Sequence, residues 1–318
     1  MQRAGCVGAS LLLLLVACTE APQLPMRVGT LPWAGNEPLF LARELGLMPA
    51  GKVHLVEHLT ISQTVRAFRN GALDAALWTL DEYLLLDHAS QPSQVVLVLD
   101  ASHGADCLVA RPEVETLAAL VGRRIAYEDS ALGNYILHRI EEQAGLAPTS
   151  LRRVDIPLSG HEEAWLRGEV DAVVTFEPAC TRLKDAGARV LFDSSNIPGE
   201  IVDVLAVRKD YLQAHPEQVD ALVRGWFAAL EHLRAHPEED VRRMAPRLGL
   251  QPEQLRRALE GVRLADEDAQ RVQLLGPRPL LLTSLERMKG VLMKQGLLQV
   301  PPEVSTLIDT APLRRVLP

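Results

Sequence analysis

Short apolar runs alternate along the chain with segments whose apolar residues recur at helical spacing, the order expected of repeated β-α-β units. Residues 67–79 (AFRNGALDAALWT) and 164–176 (AWLRGEVDAVVTF) carry one pattern twice: the end of a helix, then G-x-[LV]-D-A and an apolar run. Gly71 and Gly168 suit the left-handed residue that stops a helix. Asp74 and Asp171 fit the turn that follows, and the runs after them read as strands buried on both faces. Arg27 opens the run RVGT and Arg124 opens RIAYE; the offset 124 − 27 = 97 also relates Ser62 to Ser159, Gly71 to Gly168 and Asp74 to Asp171. A helix ending in Gly-Leu recurs at an offset of 99, Gly46-Leu47 against Gly145-Leu146, which a small indel explains. The chain therefore reads as two equivalent α/β lobes.

The pattern predicts strands over 27–30, 53–59, 75–79 and 95–99 in the first lobe, with helices over 38–46 and 62–70. Asp81, Glu82 and Tyr83 start a further helix, and residues 100–106 (DASHGAD) read as a turn-rich segment. The second lobe repeats this with a short helix over 114–121, strands over 124–127, 153–156, 172–176 and 189–192, and helices over 131–144 and 160–167. Residues 202–207 read as a strand of the return crossover, and from 209 onward the period is helical, with segments over 219–235, 238–248, 252–259 and 281–295. In open parallel sheets ligands bind beyond the carboxyl ends of the strands, so the residues just after each strand are the ones expected to face a cleft between the lobes.

The amino terminus is read as processing information. Arg3 supplies a positive start, residues 11–16 an apolar run too short to span a bilayer, and Leu15-Val16-Ala17-Cys18 the look of a bacterial lipobox. On that reading residues 1–17 are a lipoprotein signal peptide, Cys18 carries the lipid that holds the chain to a membrane, and residues 18–25 are a short polar tether. A net charge of −8 with no basic stripe argues against a nucleic-acid surface. Cys107 and Cys180 lack C-x-x-C spacing and read as buried free thiols, with a disulfide between them left open in an oxidising compartment. His161-Glu162-Glu163 lacks the second histidine of H-E-x-x-H, and His54 and His58 lack a third ligand nearby, so no metal or other cofactor is expected.

The stretches VGTLPWAGNEPLFLARELGL, RNGALDAALWTLDEYL, VLDASHGAD and RGEVDAVVTFEP, in that order, resemble the solute-binding proteins of ABC importers that handle nitrate, taurine, aliphatic sulfonates and thiamine precursors. The resemblance covers residues 26–298. It implies a type II periplasmic-binding fold: two α/β lobes, each a mostly parallel sheet flanked by helices, joined by two hinge crossovers. Lobe one is then residues 26–107 and 201–318, and lobe two residues 108–200. It also implies a monomer outside the cytoplasmic membrane, in the periplasm or at the cell surface, with a permease and its ATPase as partners and no catalysis. An enzyme on the same fold, a dehydratase or a pyrimidine synthase, is the rival from another class, and a sensor without an importer is a third. The synthase is expected to carry clustered cysteines, which this chain lacks.

Candidate ligand residues follow from the strand ends. Trp33 lies in the loop where the family places ligand contacts, and its ring could stack on a planar or cationic solute or simply plug the lobe surface. Asn36 and Glu37 are candidates that serve equally as helix-entry residues. Thr79 and Glu82 follow strand three, and Asp100, Ser102 and Asp106 follow strand four. Tyr127, Ser130, Asn134 and Tyr135 surround a strand-to-helix turn, where Ser130 fits either an N-cap or an anion cradle. Glu177 and Asp203 complete the set. With Glu128, these carboxylates far outnumber the nearby bases, Arg111 and His103, so the cleft is expected to favour a neutral or cationic solute, heteroaromatic and pyrimidine-like, over a sulfonate, taurine or nitrate.

Overall fold

A computed structural model describes residues 24–147 and 150–317. The signal segment, Cys18 and most of the tether lie outside the described residues. The chain begins β1 (Met26–Thr30), α1 (Glu37–Glu44), β2 (Val53–Glu57), α2 (Ile61–Arg69), β3 (Ala75–Thr79), α3 (Leu80–Leu84) and β4 (Ser93–Ser102). It crosses to β5 (Asp106–Ala110), β6 (Arg124–Tyr127), α4 (Ala131–Gln143), β7 (Arg152–Asp155), α5 (His161–Leu166), β8 (Ala172–Phe176), α6 (Ala179–Asp185) and β9 (Arg189–Asp193). It returns through β10 (Val202–Arg208) to α7 (Lys209–Ala214), α8 (Pro216–Ala235), α9 (Pro237–Met244), α10 (Pro252–Glu260), β11 (Val262–Leu264), α11 (Glu267–Gln270), α12 (Leu280–Lys294) and α13 (Ala311–Val316).

Two sheets result, ordered β2-β1-β3-β10-β4-β11 and β7-β6-β8-β5-β9. In each, three strands run parallel and a crossover strand, β10 or β5, inserts antiparallel beside the third. The doubling read from the sequence has a physical basis in one repeated clamp. Arg27 at the start of β1 donates from its backbone N–H and its Nε to Asp74 at 2.8 and 3.0 Å, and from Nη2 to the Gly71 carbonyl at 2.9 Å. Arg124 makes the same three bonds to Asp171 and Gly168 at 2.9, 3.1 and 3.1 Å. Gly71 and Gly168 carry φ of +69° and +71°, which turns each helix back toward its strand. The aspartates were expected only to shape a turn; each instead ties its strand entry to the arginine of the neighbouring strand.

The core lies between the sheets and their helices, with Trp78, Trp226 and Trp165 buried at its largest positions. On α8 the residues Leu222, Trp226 and Leu230 face inward, and the Trp226 indole donates to the Ala265 carbonyl at 3.0 Å. Three expectations are corrected. The segment 114–121 forms only a 3-10 turn, Leu117–Leu120, because Thr116 caps it at Ala119 and Gly122, at φ +72°, ends it after one turn. Strand β4 is ten residues long, held by β10 along most of its length and by β11 at Ser102, so Asp100 and Ser102 are strand residues rather than parts of a turn. Cys107 on β5 and Cys180 on α6 are joined in a disulfide, not free thiols; the pairing β5–β8 and the packing of α6 bring their Cα atoms to 6.4 Å.

Candidate functional site

The carboxyl ends of β1 and β3 and the entry of β10 face the ends of β6 and β8 and the entry of β5 across a cavity of about 60 Å³. A single water needs roughly 10–15 Å³ by this measure, so the space suits a handful of waters or a solute of a few heavy atoms. Of the predicted site residues, Trp33, Asn36, Thr79, Glu82, Asp106, Ser130 and Asp203 line it. Leu31, Ile61, Leu77, Trp78, Glu128, Leu132, Phe176 and Ile201 complete the wall. Trp33 meets Phe176 edge to face across the cleft, with ring centroids 5.7 Å apart. Its indole N–H donates to Asp100 Oδ2 at 3.2 Å. Gly35 makes that bond possible, since a Cβ there would overlap both the indole nitrogen and the carboxylate. Gly133 acts similarly at the opposite wall, where a side chain would collide with the Glu128 carbonyl.

The other seven predicted residues stand outside the lining, each engaged elsewhere. Glu37 is fully buried and receives Arg247 Nε at 2.9 and 3.0 Å, while that guanidinium lies 3.6 Å over the Phe40 ring. Asp100 sits behind Trp33. The Ser102 hydroxyl is 2.7 Å from that of Ser194 and accepts from the Asp106 backbone N–H at 3.1 Å. Tyr127 approaches Asp129, and Asn134 donates to Asp129 at 2.7 Å. Tyr135 donates to Glu200 at 2.5 Å. Glu177 accepts from the backbone N–H and the hydroxyl of Thr181, both at 3.0 Å, and from Lys184 at 3.3 Å. Ser130 caps α4 through Gly133 N–H at 3.1 Å, the N-cap of the two roles considered for its position, and it also lines the cavity. The lobes also touch beside the cleft, where Asp185 on α6 accepts from Gln254 at 2.7 Å and from Arg257 at 3.0 Å, both on α10.

Four carboxylates line the cavity and none of its lining residues is Lys, Arg or His. Burial raises Asp106 from an ordinary 3.8 to about 7, opposed by its bond to Ser102 and reinforced by Asp100, Asp81 and Glu177. Burial, helped by Asp155, raises Glu128 to about 7. Asp203 and Glu82 are raised well above their ordinary values, by burial first and then by neighbouring carboxylates. Behind them burial lifts Asp100 to about 7 and Asp81 to about 6. The bases expected near the cleft do not reach it. Arg111 stacks 3.9 Å over Trp165 and donates to its carbonyl, and the His103 backbone pairs with Gly261 at 2.8 Å. Among the described residues no group of three or more His, Cys, Asp or Glu could hold a metal ion.

The site residues that sequence reasoning missed are mostly apolar. Phe176 ends β8 and Trp78 stands one residue before the end of β3, in apolar runs that read equally well as core, and Glu128 was legible only as one more carboxylate after a strand. What the wall offers a guest is four carboxyl groups, a pair of aromatic rings and no cationic side chain.

The NMT1-like family model matches residues 19–248. The chain is 27% identical over 224 residues to the taurine-binding periplasmic protein of Escherichia coli K12, a match that covers 67% of this chain and 69% of that one. The alkanesulfonate-binding protein SsuA from Xanthomonas axonopodis pv. citri bound to MOPS has the same fold, with a TM-score of 0.76, 19% identity and coverage of 91% of this chain and 99% of that one. The desulfurization enzyme DSZB shares the fold as well, with a TM-score of 0.67 at 19% identity over 92% and 99% of the two chains.

Proposed function

The chain belongs to the NMT1-like family, and from that premise we propose that it is the extracytoplasmic solute-binding component of an ABC importer. It captures a small neutral or cationic solute, heteroaromatic and pyrimidine-like, between its two lobes and passes it unaltered to a permease and its ATPase. The observation that carries this reading is the cavity between the sheets, walled from both sides by Glu82, Asp203, Asp106 and Glu128, with the rings of Trp33 and Phe176 meeting across it. Closure around a guest fits a two-lobed molecule with two crossovers, as hinge motion does generally. The ligand set is Trp33, Asn36, Thr79, Glu82, Asp106, Ser130 and Asp203; Glu37, Asp100, Ser102, Tyr127, Asn134, Tyr135 and Glu177 stand outside the lining, each engaged elsewhere.

A taurine or sulfonate binder is the second reading, favoured by the taurine-binding relative. Taurine's ammonium group suits the carboxylates, but its sulfonate meets no cation on the lining. Isothermal titration separates the two: saturable binding of aminopyrimidines supports the first reading, and saturable binding of taurine alone replaces it with the second. The protein acts as a monomer and is held at the membrane by a lipid on Cys18. Replacing Cys18 by Ser should release it from the membrane fraction, and unchanged partitioning would remove the anchor.

A further inference from the structure

We propose that Asp100, joined to Asp203 by one shared proton, is the positioning residue that sets the Trp33 ring against Phe176 of the facing lobe. The inference goes beyond the choice of solute, since neither the acid pair nor the ring contact needs a guest. Trp33 is extended, with φ of −137° and ψ of 134°, and stands just before the 3-10 turn Ala34–Asn36. Asn36 fixes the base of that loop through the Thr30 hydroxyl and the Leu31 carbonyl, both at 3.1 Å. The ring is held by its own N–H, which donates to Asp100 Oδ2 at 3.2 Å. From there it reaches Phe176 edge to face. Gly35 leaves the room for this, because a side chain at that position would intrude on both the indole nitrogen and the carboxyl group.

Strand pairing explains why two acids meet here. In the antiparallel ladder of β10 and β4, Leu205 lies opposite Leu97 and Val204 opposite Val98, but Asp203 lies opposite Asp100. The register passes over Leu99, so a bulge in β4 brings Asp100 beside Asp203 where regular pairing would bring a leucine. The two carboxyl groups are hydrogen-bonded to each other. Ionised carboxylates only accept, so that bond exists only while a proton lies between them. Oδ1 of each acid is buried and receives no N–H or hydroxyl, which leaves a proton within the pair as their donor. The surroundings do not replace that proton. Glu82 of α3 and Asp106 of β5 face Asp203, and Asp81, Glu177 and Glu128 stand beside those two. Thr79 of β3 is in register with Asp203, and Leu264 of β11 with Asp100. Arg263 of β11 pairs with Ala101 and is exposed on the other face of the sheet. On α10, Arg257 is held by Asp185 and Arg256 by Glu238. His103 follows β4 half-buried, with its backbone tied to Gly261. Burial among acids therefore keeps the proton in place, lifting Asp100 to about 7 and Asp203 well above its ordinary value.

The test is fluorine NMR of the ligand-free protein carrying fluorotryptophan at its four tryptophans, with Trp33 assigned by the signal that Trp33→Phe removes. The Trp33 resonance should titrate with a midpoint of about 7 as Asp100 ionises beside the indole. Asp100→Asn should hold the resonance near its wild-type position and abolish the titration, because the amide oxygen accepts from Trp33 while the amide nitrogen donates to Asp203. Asp100→Leu should displace and broaden the signal and speed exchange of the Trp33 N–H with solvent by at least about tenfold. If the leucine variant fails to fold, Gly35→Ala carries that arm, since its methyl group intrudes on the same hydrogen bond. A Trp33 signal that ignores pH between about 5 and about 9, or that titrates unchanged in Asp100→Asn, overturns the shared proton. A signal and an exchange rate that the leucine and alanine variants leave as they were overturn the positioning role. No solute is added, so these outcomes are separate from the titrations with aminopyrimidines and taurine that decide the solute reading.

Discussion

Replacing Asp106 by Asn isolates the energetic consequence of the buried acids in the cleft. Asp106 is 3% exposed, at the entry of β5, and burial raises it from 3.8 to about 7. The folded protein therefore holds this proton over a range where the unfolded chain has lost it. Stability contributed by the protonated form is complete below pH 3.8, declines as pH rises through the window up to about 7, and levels off above it. At about 1.4 kcal/mol per pKa unit, the part of that window between pH 5 and pH 8 corresponds to about 3 kcal/mol. Asparagine carries no such dependence. Urea unfolding of the ligand-free wild type and the variant at both pH values should show the variant gaining about 3 kcal/mol on the wild type between pH 5 and pH 8. Taking the difference cancels titrating groups that Asp106 does not touch, notably His161, which burial lowers to about 4 and which acts in the opposite direction. A gain below about 0.5 kcal/mol would mean that Asp106 is solvated, and the electrostatic description of the cleft would be wrong.

Trp33→Ala removes a ring that lines the cavity and meets Phe176, and should weaken solute binding about 30- to 100-fold, while Glu177→Gln should leave affinity within about threefold and cost about 1–2 kcal/mol of stability through Thr181 and Lys184; equal effects of the two on titration would contradict the division between wall and support. Arg247→Met strands the buried Glu37 carboxylate and should cost about 3–5 kcal/mol in urea unfolding, most of it recovered by adding Glu37→Gln, because burial already raises Glu37 and Arg247, with a smaller part from Arg43, opposes it. No recovery in the double variant would refute that account. Reducing the disulfide between Cys107 and Cys180, which are 73 positions apart, should lower stability by about 4 kcal/mol, read as a fall in thermal midpoint on adding reductant; an unchanged midpoint would contradict the bond.

The sequence made the doubled architecture legible because the feature that repeats is a physical clamp. An arginine that opens one strand must meet an aspartate and a glycine carbonyl before another, so Arg27, Gly71 and Asp74 recur in register as Arg124, Gly168 and Asp171. Carboxylates were legible too, since an acid directly after an apolar strand has few reasons to be there, and Glu82, Asp106 and Asp203 do meet at the cavity. What failed to show was anything set by distant pairing. Arg247 reaches Glu37 from 210 positions away, and a basic residue in a helical segment gives no sign of its partner. The disulfide joins a strand to a helix that no local pattern relates. Phe176, Leu31 and Ile61 stayed hidden because an apolar side chain at an element's end reads the same whether it covers core or cavity. Tyr135 and Asn134 were drawn in by their nearness to a strand end, but α4 turns them toward Glu200 and Asp129 instead.

The most direct measurement is native mass spectrometry of the protein purified without refolding, followed by identification of whatever small molecule leaves it on gentle denaturation. One nitrogen-bearing, neutral or cationic solute per chain, recovered unaltered after prolonged incubation, is the expected finding for two lobes shut on a guest beside Asp203 and Glu82. A bound sulfonate, or conversion of the guest into another compound, would contradict it.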